Sequence, residues 1–237
     1  MRGGSEVIIA LDTPSLEEAL GVVDVLGDDA SFYKVGLELY TRVGLQAVTE
    51  LIAREKRVFL DLKLHDIPNT VERAARGISE LGVDLVTVHA AGGAEMIEAA
   101  REGLGASTRL LAVTVLTSMA KEDLGASWGR PVESIPEEVV RLADLAKTSG
   151  ADGVVSAATE AARVRAHVGD EFLIVVPGIR PAGADHQDQK RVATPAHALR
   201  SGADYLVIGR PITQSPDPAG ALRAVVAEMD ADGSHRT

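Results

Sequence analysis

Apolar runs of four to six residues recur eight times along this chain, at Val7–Leu11, Phe32–Leu37, Val58–Leu62, Leu85–Val88, Leu110–Val115, Gly153–Ser156, Leu173–Val176 and Tyr205–Ile208. Helical spacing fills most of the intervals, as in Tyr40–Glu55, where Val43, Ala47, Val48, Leu51 and Ile52 can share one face. A weak repeat keeps the phase: LGVD at Leu81–Asp84 and SGAD at Ser149–Asp152 and Ser201–Asp204 each precede an apolar run. Its glycine suits the left-handed residue just past a helix end, and the run that follows is the next strand. Alternating strand and helix implies a parallel sheet, and eight units in 237 residues match a closed barrel better than an open sheet. No linker divides the chain. The expectation is therefore one α/β domain over residues 1–237, a single (β/α)8 TIM barrel with an ordered core over about 7–229 and a frayed tail over 230–237.

Local signals refine this outline. After the first run, Thr13 or Ser15 is placed to cap a helix whose Glu17 and Glu18 suit its positive end. Pro68 closes an extended segment before a helix that begins near Val71. Two intervals read as long loops, Ser118 to about Pro136 and Ile179 to about Thr194, the second polar with Gly183, Asp185, Gln187 and Lys190. Following the fifth and seventh strands of a barrel, such loops are expected to act as active-site lids.

Chemistry concentrates in Arg57–Thr70, RVFLDLKLHDIPNT, where an apolar strand ends in alternating charge. Period-two alternation sends Phe59, Asp61 and Lys63 to one face and Leu60 and Leu62 to the other, so a carboxylate and an ammonium emerge side by side. Active sites of such barrels lie at the C-terminal strand ends. The last inward residues of the first three strands are then Asp12, Lys34, Asp61 and Lys63. Ion pairing alone would account for any one of them. Four together at an apolar mouth point to function, because burying charge is costly unless it is paired or used. After the eighth strand, Gly209 allows close approach of a ligand to the backbone, and Arg210 can grip a phosphate. The seventh loop offers Pro177, Gly178, Arg180 and Gln189, with Arg180 and Gln189 able to reach over a ligand. Thr117 and Ser118 are hydroxyl donors suited to a polar heterocycle, and equally good turn residues. His89 reads as a barrel-rim histidine rather than a base.

Composition removes other classes. A net charge of −11 argues against general nucleic-acid binding, which needs a basic surface. The absence of cysteine excludes disulfides, thiolate metal sites and cysteine nucleophiles. No H-x-x-x-H spacing occurs, and the carboxylates alternate with lysines that would repel a cation, so no metal and no cofactor is expected. The N-terminal apolar run is too short to span a membrane and lacks a cleavage pattern, which suggests a cytoplasmic protein without an anchor.

The chain resembles the orotidine 5'-phosphate decarboxylase family, in its bacterial branch, from about Val7 to Met229. DLKLHDIPNT at Asp61–Thr70 carries most of the resemblance, supported by ALD ending at Asp12, YKVG around Lys34, VTVHA ending at Ala90, VTVLTS ending at Ser118, PGIRP at Pro177–Pro181 and VIGRPI at Val207–Ile212. The resemblance implies conversion of orotidine 5'-phosphate to UMP in pyrimidine biosynthesis without metal or cofactor, by a homodimer with shared sites. Lys63 would give a proton to C6, with Asp61 beside the departing carboxylate. Lys34 and Asp66 would complete an alternating network, Asp66 coming from the second subunit. Asp12 and Lys34 would hold the ribose, and Ile67 and Thr70 would lie at the ligand across the interface. Ser118 would bind the pyrimidine, with Thr117 and Pro177 at the substrate pocket, and Gln189 would bridge base and phosphate. Arg180, Gly209 and Arg210 would bind or cover the phosphate.

Two other readings compete. A Mg2+-dependent keto-sugar-phosphate decarboxylase on the same barrel shares D-x-K-x-x-D, but needs a carboxylate where this chain has Lys34. A non-catalytic nucleotide-binding barrel would not need both lysines and both aspartates.

Overall fold

The computed structural model describes residues 6–181 and 193–231. Its strands are β1 (Glu6–Leu11), β2 (Phe32–Gly36), β3 (Arg57–Leu64), β4 (Leu85–His89), β5 (Arg109–Val113), β6 (Gly153–Val155), β7 (Leu173–Val176) and β8 (Tyr205–Ile208). They pair in chain order, all parallel, and β8 returns to β1, closing a (β/α)8 barrel. Around it run α1 (Leu16–Leu26), α2 (Leu37–Val43), α3 (Gln46–Ala53), α4 (Pro68–Ser79), α5 (Ala94–Gly103), α6 (Lys121–Trp128), α7 (Ile135–Thr148), α8 (Ala158–Val168), α9 (Pro195–Arg200), α10 (Arg210–Thr213) and α11 (Pro218–Ala231). No helix among the described residues is long and apolar enough to cross a membrane.

Alternation along the strands divides the core in two. Ile8, Ala10, Phe32, Phe59, Leu85, Leu111, Val175 and Val207 form one buried cluster, the filling of the barrel. The opposite strand faces join the inner helix faces in a larger cluster that includes Ile9, Tyr33, Leu60, Val86, Leu110, Val154, Ile174 and Leu206. Continuing the inner series by two residues leads from Ala10 to Asp12, from Phe32 to Lys34, from Phe59 to Asp61, from Leu85 to Thr87 and from Val207 to Gly209. The strands thus deliver an apolar floor and then a polar layer above it.

The internal repeat turns out to be a device that anchors strand starts. Gly82, Gly150 and Gly202 all have positive φ, at 76°, 84° and 99°, the left-handed conformation expected past a helix end. The aspartate two residues later then accepts a backbone N–H from the preceding strand: Asp84 from Val58 at 3.0 Å, Asp152 from Leu110 at 2.7 Å and Asp204 from Ile174 at 2.7 Å. Each also binds an arginine, Arg57 at 2.9 Å, Arg101 at 2.7 Å and Arg165 at 2.5 Å respectively.

Several boundaries differ from the sequence reading. Tyr40–Glu55 is not one helix: α2 already begins at Leu37, and Gly44, with φ of 62°, separates α2 from α3. The interval from Ser118 to Pro136 is not all loop, because it contains α6, whose start is capped by the Asp123 carboxylate on the Ala120 N–H at 2.9 Å. Ser15, not Thr13, caps α1, accepting from Glu18 N at 3.2 Å. The helix expected near Val71 starts at Pro68, where a missing N–H costs nothing. Asp230 still belongs to α11; the remainder of the expected tail, from 232, lies outside the described residues, as does 182–192 of the second long loop.

Candidate active site

The third strand does not keep its alternation to the end. Leu60 pairs with Val86 and Leu64 with Val88, so three residues of β3, Asp61, Leu62 and Lys63, stand opposite Thr87 alone. This bulge puts Lys63 at φ 51°, a conformation uncommon outside glycine. Lys63 and Asp61 therefore share the site through a local turn, and not through the period-two geometry expected of a regular strand.

The result is a chain of alternating charge across β1, β2 and β3. Lys34 Nζ lies 3.0 Å from Asp12 Oδ1 and 3.8 Å from Asp61 Oδ2, and Lys63 Nζ lies 2.8 Å from the same Asp61 oxygen. Lys34 and Asp61 are each only 8% exposed. Burial pushes the Asp61 carboxyl up; the charges of Lys34 and Lys63, with hydrogen bonds from Lys63 and Thr87, outweigh it and hold the group below its usual range. Gly36 leaves room for this packing, since a Cβ there would fall 2.6 Å from Lys34 Nζ. The His89 imidazole at the end of β4 is held below its usual range, by burial and then by the charges of His65 and Lys63.

Asp12, Lys34, Asp61 and Lys63 line one side of a cavity of about 270 Å3 at the C-terminal mouth of the barrel. Ala10, Phe59 and Val207 form its base, and Val113, Val115, Leu116 and Val155 make an apolar wall above β5 and β6. Thr117, Ser156, Pro177, Gly178, Arg180, Gly209 and Arg210 complete the lining. Following the strand order, Arg180 and Arg210 rise from β7 and β8, next to β1. Acidic and basic groups thus occupy one arc of the rim, and an apolar wall the other. Such a site suits a flat, partly polar ring attached to an anion. Among the described residues, no three His, Asp or Glu side chains gather as metal ligands.

Of the residues singled out in the sequence, Asp12, Lys34, Asp61, Lys63, Thr117, Pro177, Arg180, Gly209 and Arg210 meet at this cavity. Asp66, Ile67 and Thr70 do not; they are exposed on the segment from β3 into α4, Ile67 at 65%. Ser118 is exposed and outside the lining as well, and Gln189 lies outside the described residues. Two participants escaped the sequence reading: Ser156, which lines the cavity, and Thr87, which is fully buried against Asp61. The step of two from Leu85 was the available signal for Thr87.

Comparison with known proteins agrees with this geometry. Residues 5–225 match the sequence profile of the Orotidine 5'-phosphate decarboxylase / HUMPS family. The orotidine 5'-phosphate decarboxylase of Moorella thermoacetica is 50% identical over 238 residues, covering 97% of this chain and 94% of that protein. That of Vibrio parahaemolyticus is 49% identical over 224 residues, covering 93% and 95%. The crystal structure of the Lactobacillus acidophilus orotidine 5'-phosphate decarboxylase superposes with a TM-score of 0.85 at 39% identity, covering 95% of this chain and 99% of that one. With the profile spanning nearly its whole length and relatives at half identity, this chain belongs to the orotidine 5'-phosphate decarboxylase / HUMPS family.

Proposed function

We propose that this protein decarboxylates orotidine 5'-phosphate to UMP as a cytoplasmic step of pyrimidine biosynthesis, with no metal or cofactor in the reaction. The observation that carries the reading is the Asp12–Lys34–Asp61–Lys63 charge chain at a cavity that also holds Arg180 and Arg210. In the reaction, the C6–carboxylate bond breaks, CO2 departs, and the bonding electron pair stays on C6 in the ring plane. The π system cannot delocalise that pair, so charge must be stabilised by fixed groups around it. Lys63 supplies an ammonium next to C6 and then transfers its proton there, completing UMP. Asp61, held ionised by its neighbours, lies by the substrate carboxylate and favours its departure.

The remaining lining residues orient the nucleotide. Asp12 and Lys34 bind ribose hydroxyls, Thr117 and Pro177 border the pyrimidine pocket, and Arg180, Arg210 and the Gly209 backbone hold the phosphate. Phosphate binding far from the reacting carbon contributes energy to the chemical step through loop closure. Ser118 binds the pyrimidine, and Gln189 bridges base and phosphate. Asp66, Ile67 and Thr70 serve the site of a second subunit in a homodimer; their exposure in the single chain supports that role.

The test is the ultraviolet absorbance change of orotidine 5'-phosphate on adding purified protein, with and without EDTA. Conversion to UMP that is indifferent to the chelator is the expected result. Absence of conversion by folded, UMP-binding protein would overturn the decarboxylase reading.

A further inference from the structure

The buried hydroxyl of Thr87 lies at the one point where the two central charged residues are tied together. It donates to Asp61 Oδ1 at 2.9 Å and accepts the backbone N–H of Lys63 at 2.9 Å. Thr87 is 0% exposed, so solvent does not substitute for either bond. The hydroxyl has one proton, which goes to the carboxylate, and its lone pairs face the amide; the arrangement has a single direction. Asp61 accordingly divides its oxygens. Oδ1 takes the neutral hydroxyl, and Oδ2 faces Lys63 Nζ at 2.8 Å and Lys34 Nζ at 3.8 Å.

The same residue sits opposite the bulge of β3. Three residues there face one on β4, so the Lys63 N–H has no backbone acceptor in the ladder. A side-chain oxygen at position 87 takes its place. Without that bond, a non-glycine residue at φ 51° would have little to hold its backbone, and the ammonium it carries would lose its aim. Alanine or valine at this position would leave both a buried amide and a buried carboxylate oxygen short of a partner.

We propose that Thr87 is a positioning residue for the decarboxylation, its hydroxyl fixing at once the carboxylate of Asp61 and the left-handed turn that presents Lys63. This rests on the decarboxylase reading for its effect on turnover, but the link to Asp61 stands by itself. Charged and titratable groups on the packed strands act on Asp61 too: Lys34 on β2, with Asp12 behind it, Lys63 on β3, and His89 at the end of β4. A change confined to the Thr87 hydroxyl removes no contact of Lys34, Asp12 or His89, so its effect falls on Asp61 and on the turn of Lys63.

Thr87→Val removes the hydroxyl at nearly constant shape, and Thr87→Ser keeps it. In T87V, kcat is expected to fall about 10- to 100-fold while KM and UMP affinity change less than about threefold, since ribose and phosphate contacts remain. T87S should recover kcat to within about threefold of wild type. The Asp61 carboxyl, followed by 13C NMR with D61N to assign it, should titrate at higher pH in T87V than in wild type or T87S. Wild-type kcat in T87V, equal losses of kcat and UMP affinity, a T87S as slow as T87V, or an unmoved Asp61 titration would each overturn the proposal. If T87V does not fold, slow turnover with normal UMP binding in Thr87→Cys would support it, and normal turnover there would overturn it. An inactive wild type would defeat the decarboxylase reading while leaving the Asp61 titration as an independent test.

Discussion

Lys63 and Asp61 show how two residues on one strand acquire different surroundings. Lys63 sits at the turn with its side chain about a quarter exposed, whereas the side chain of Asp61 lies deeper, at 12%. Exchanging Lys63 for alanine removes the proposed proton donor together with a fixed positive charge, and kcat is expected to drop by at least about a thousandfold. UMP binding should survive in K63A, since Arg180, Arg210, Asp12 and Lys34 remain; calorimetry with UMP beside the absorbance assay checks both halves. Asp61 makes a second prediction through its protons. Its folded-state pKa is depressed, so the unfolded chain binds the proton more readily than the native one. Its contribution to stability is fully present above the ordinary carboxyl range and is lost as pH falls through the depressed native value. Urea unfolding of wild type and D61N from pH 7 downward should show a stability difference that shrinks on acidification. A difference constant with pH would contradict the depressed value.

Among the elements, the strand starts are held by a repeated carboxylate, and the three copies differ in depth. Arg165 is the most enclosed of these three arginines, its side chain 9% exposed, and it also donates to the carbonyls of Gly169, Phe172 and Gly202. Arg165→Met would take a buried guanidinium away from Asp204 and from those carbonyls and is expected to cost about 3 kcal/mol. Arg101→Met, at a pair whose side chains are 26% and 37% exposed, should cost nearer about 1 kcal/mol. Both residues sit at the end of the barrel away from the cavity, so kcat at 25 °C should be unchanged; denaturant midpoints and the absorbance assay together decide this. This scale also explains what was legible in the sequence. Strands announced themselves because a buried parallel strand is apolar on both faces, and the G-x-D repeat marked where three of them begin. The helix α6 was hidden because Leu124 is its sole buried residue, too little to create a helical period. Gly44 interrupts an apolar face that periodicity reads straight through. The bulge of β3, and with it the role of Thr87, depends on the register of the adjacent strand, which no local pattern encodes.

At the level of the whole molecule, one barrel supplies an arc of charge but leaves DLKLHDIPNT divided. Asp61 and Lys63 face the cavity, while Asp66, Ile67 and Thr70 of the same motif are exposed beyond it. A motif split in this way makes chemical sense if its second half completes another subunit's site, which a two-fold dimer does reciprocally. The proposal can be tested without a structure of the assembly. K63A and D66A homodimers should each be strongly impaired. Unfolding and refolding them together yields mixed dimers in which one site carries both substitutions and the other carries neither. With random pairing, half the dimers are mixed and half their sites are intact, so turnover should rise to about a quarter of wild type. If each site drew both residues from its own chain, every site in the mixture would still carry one substitution and no rise would occur. Recovery of activity on mixing would therefore establish both the dimer and the exchange of Asp66 across it, and a flat response would remove Asp66 from the shared network.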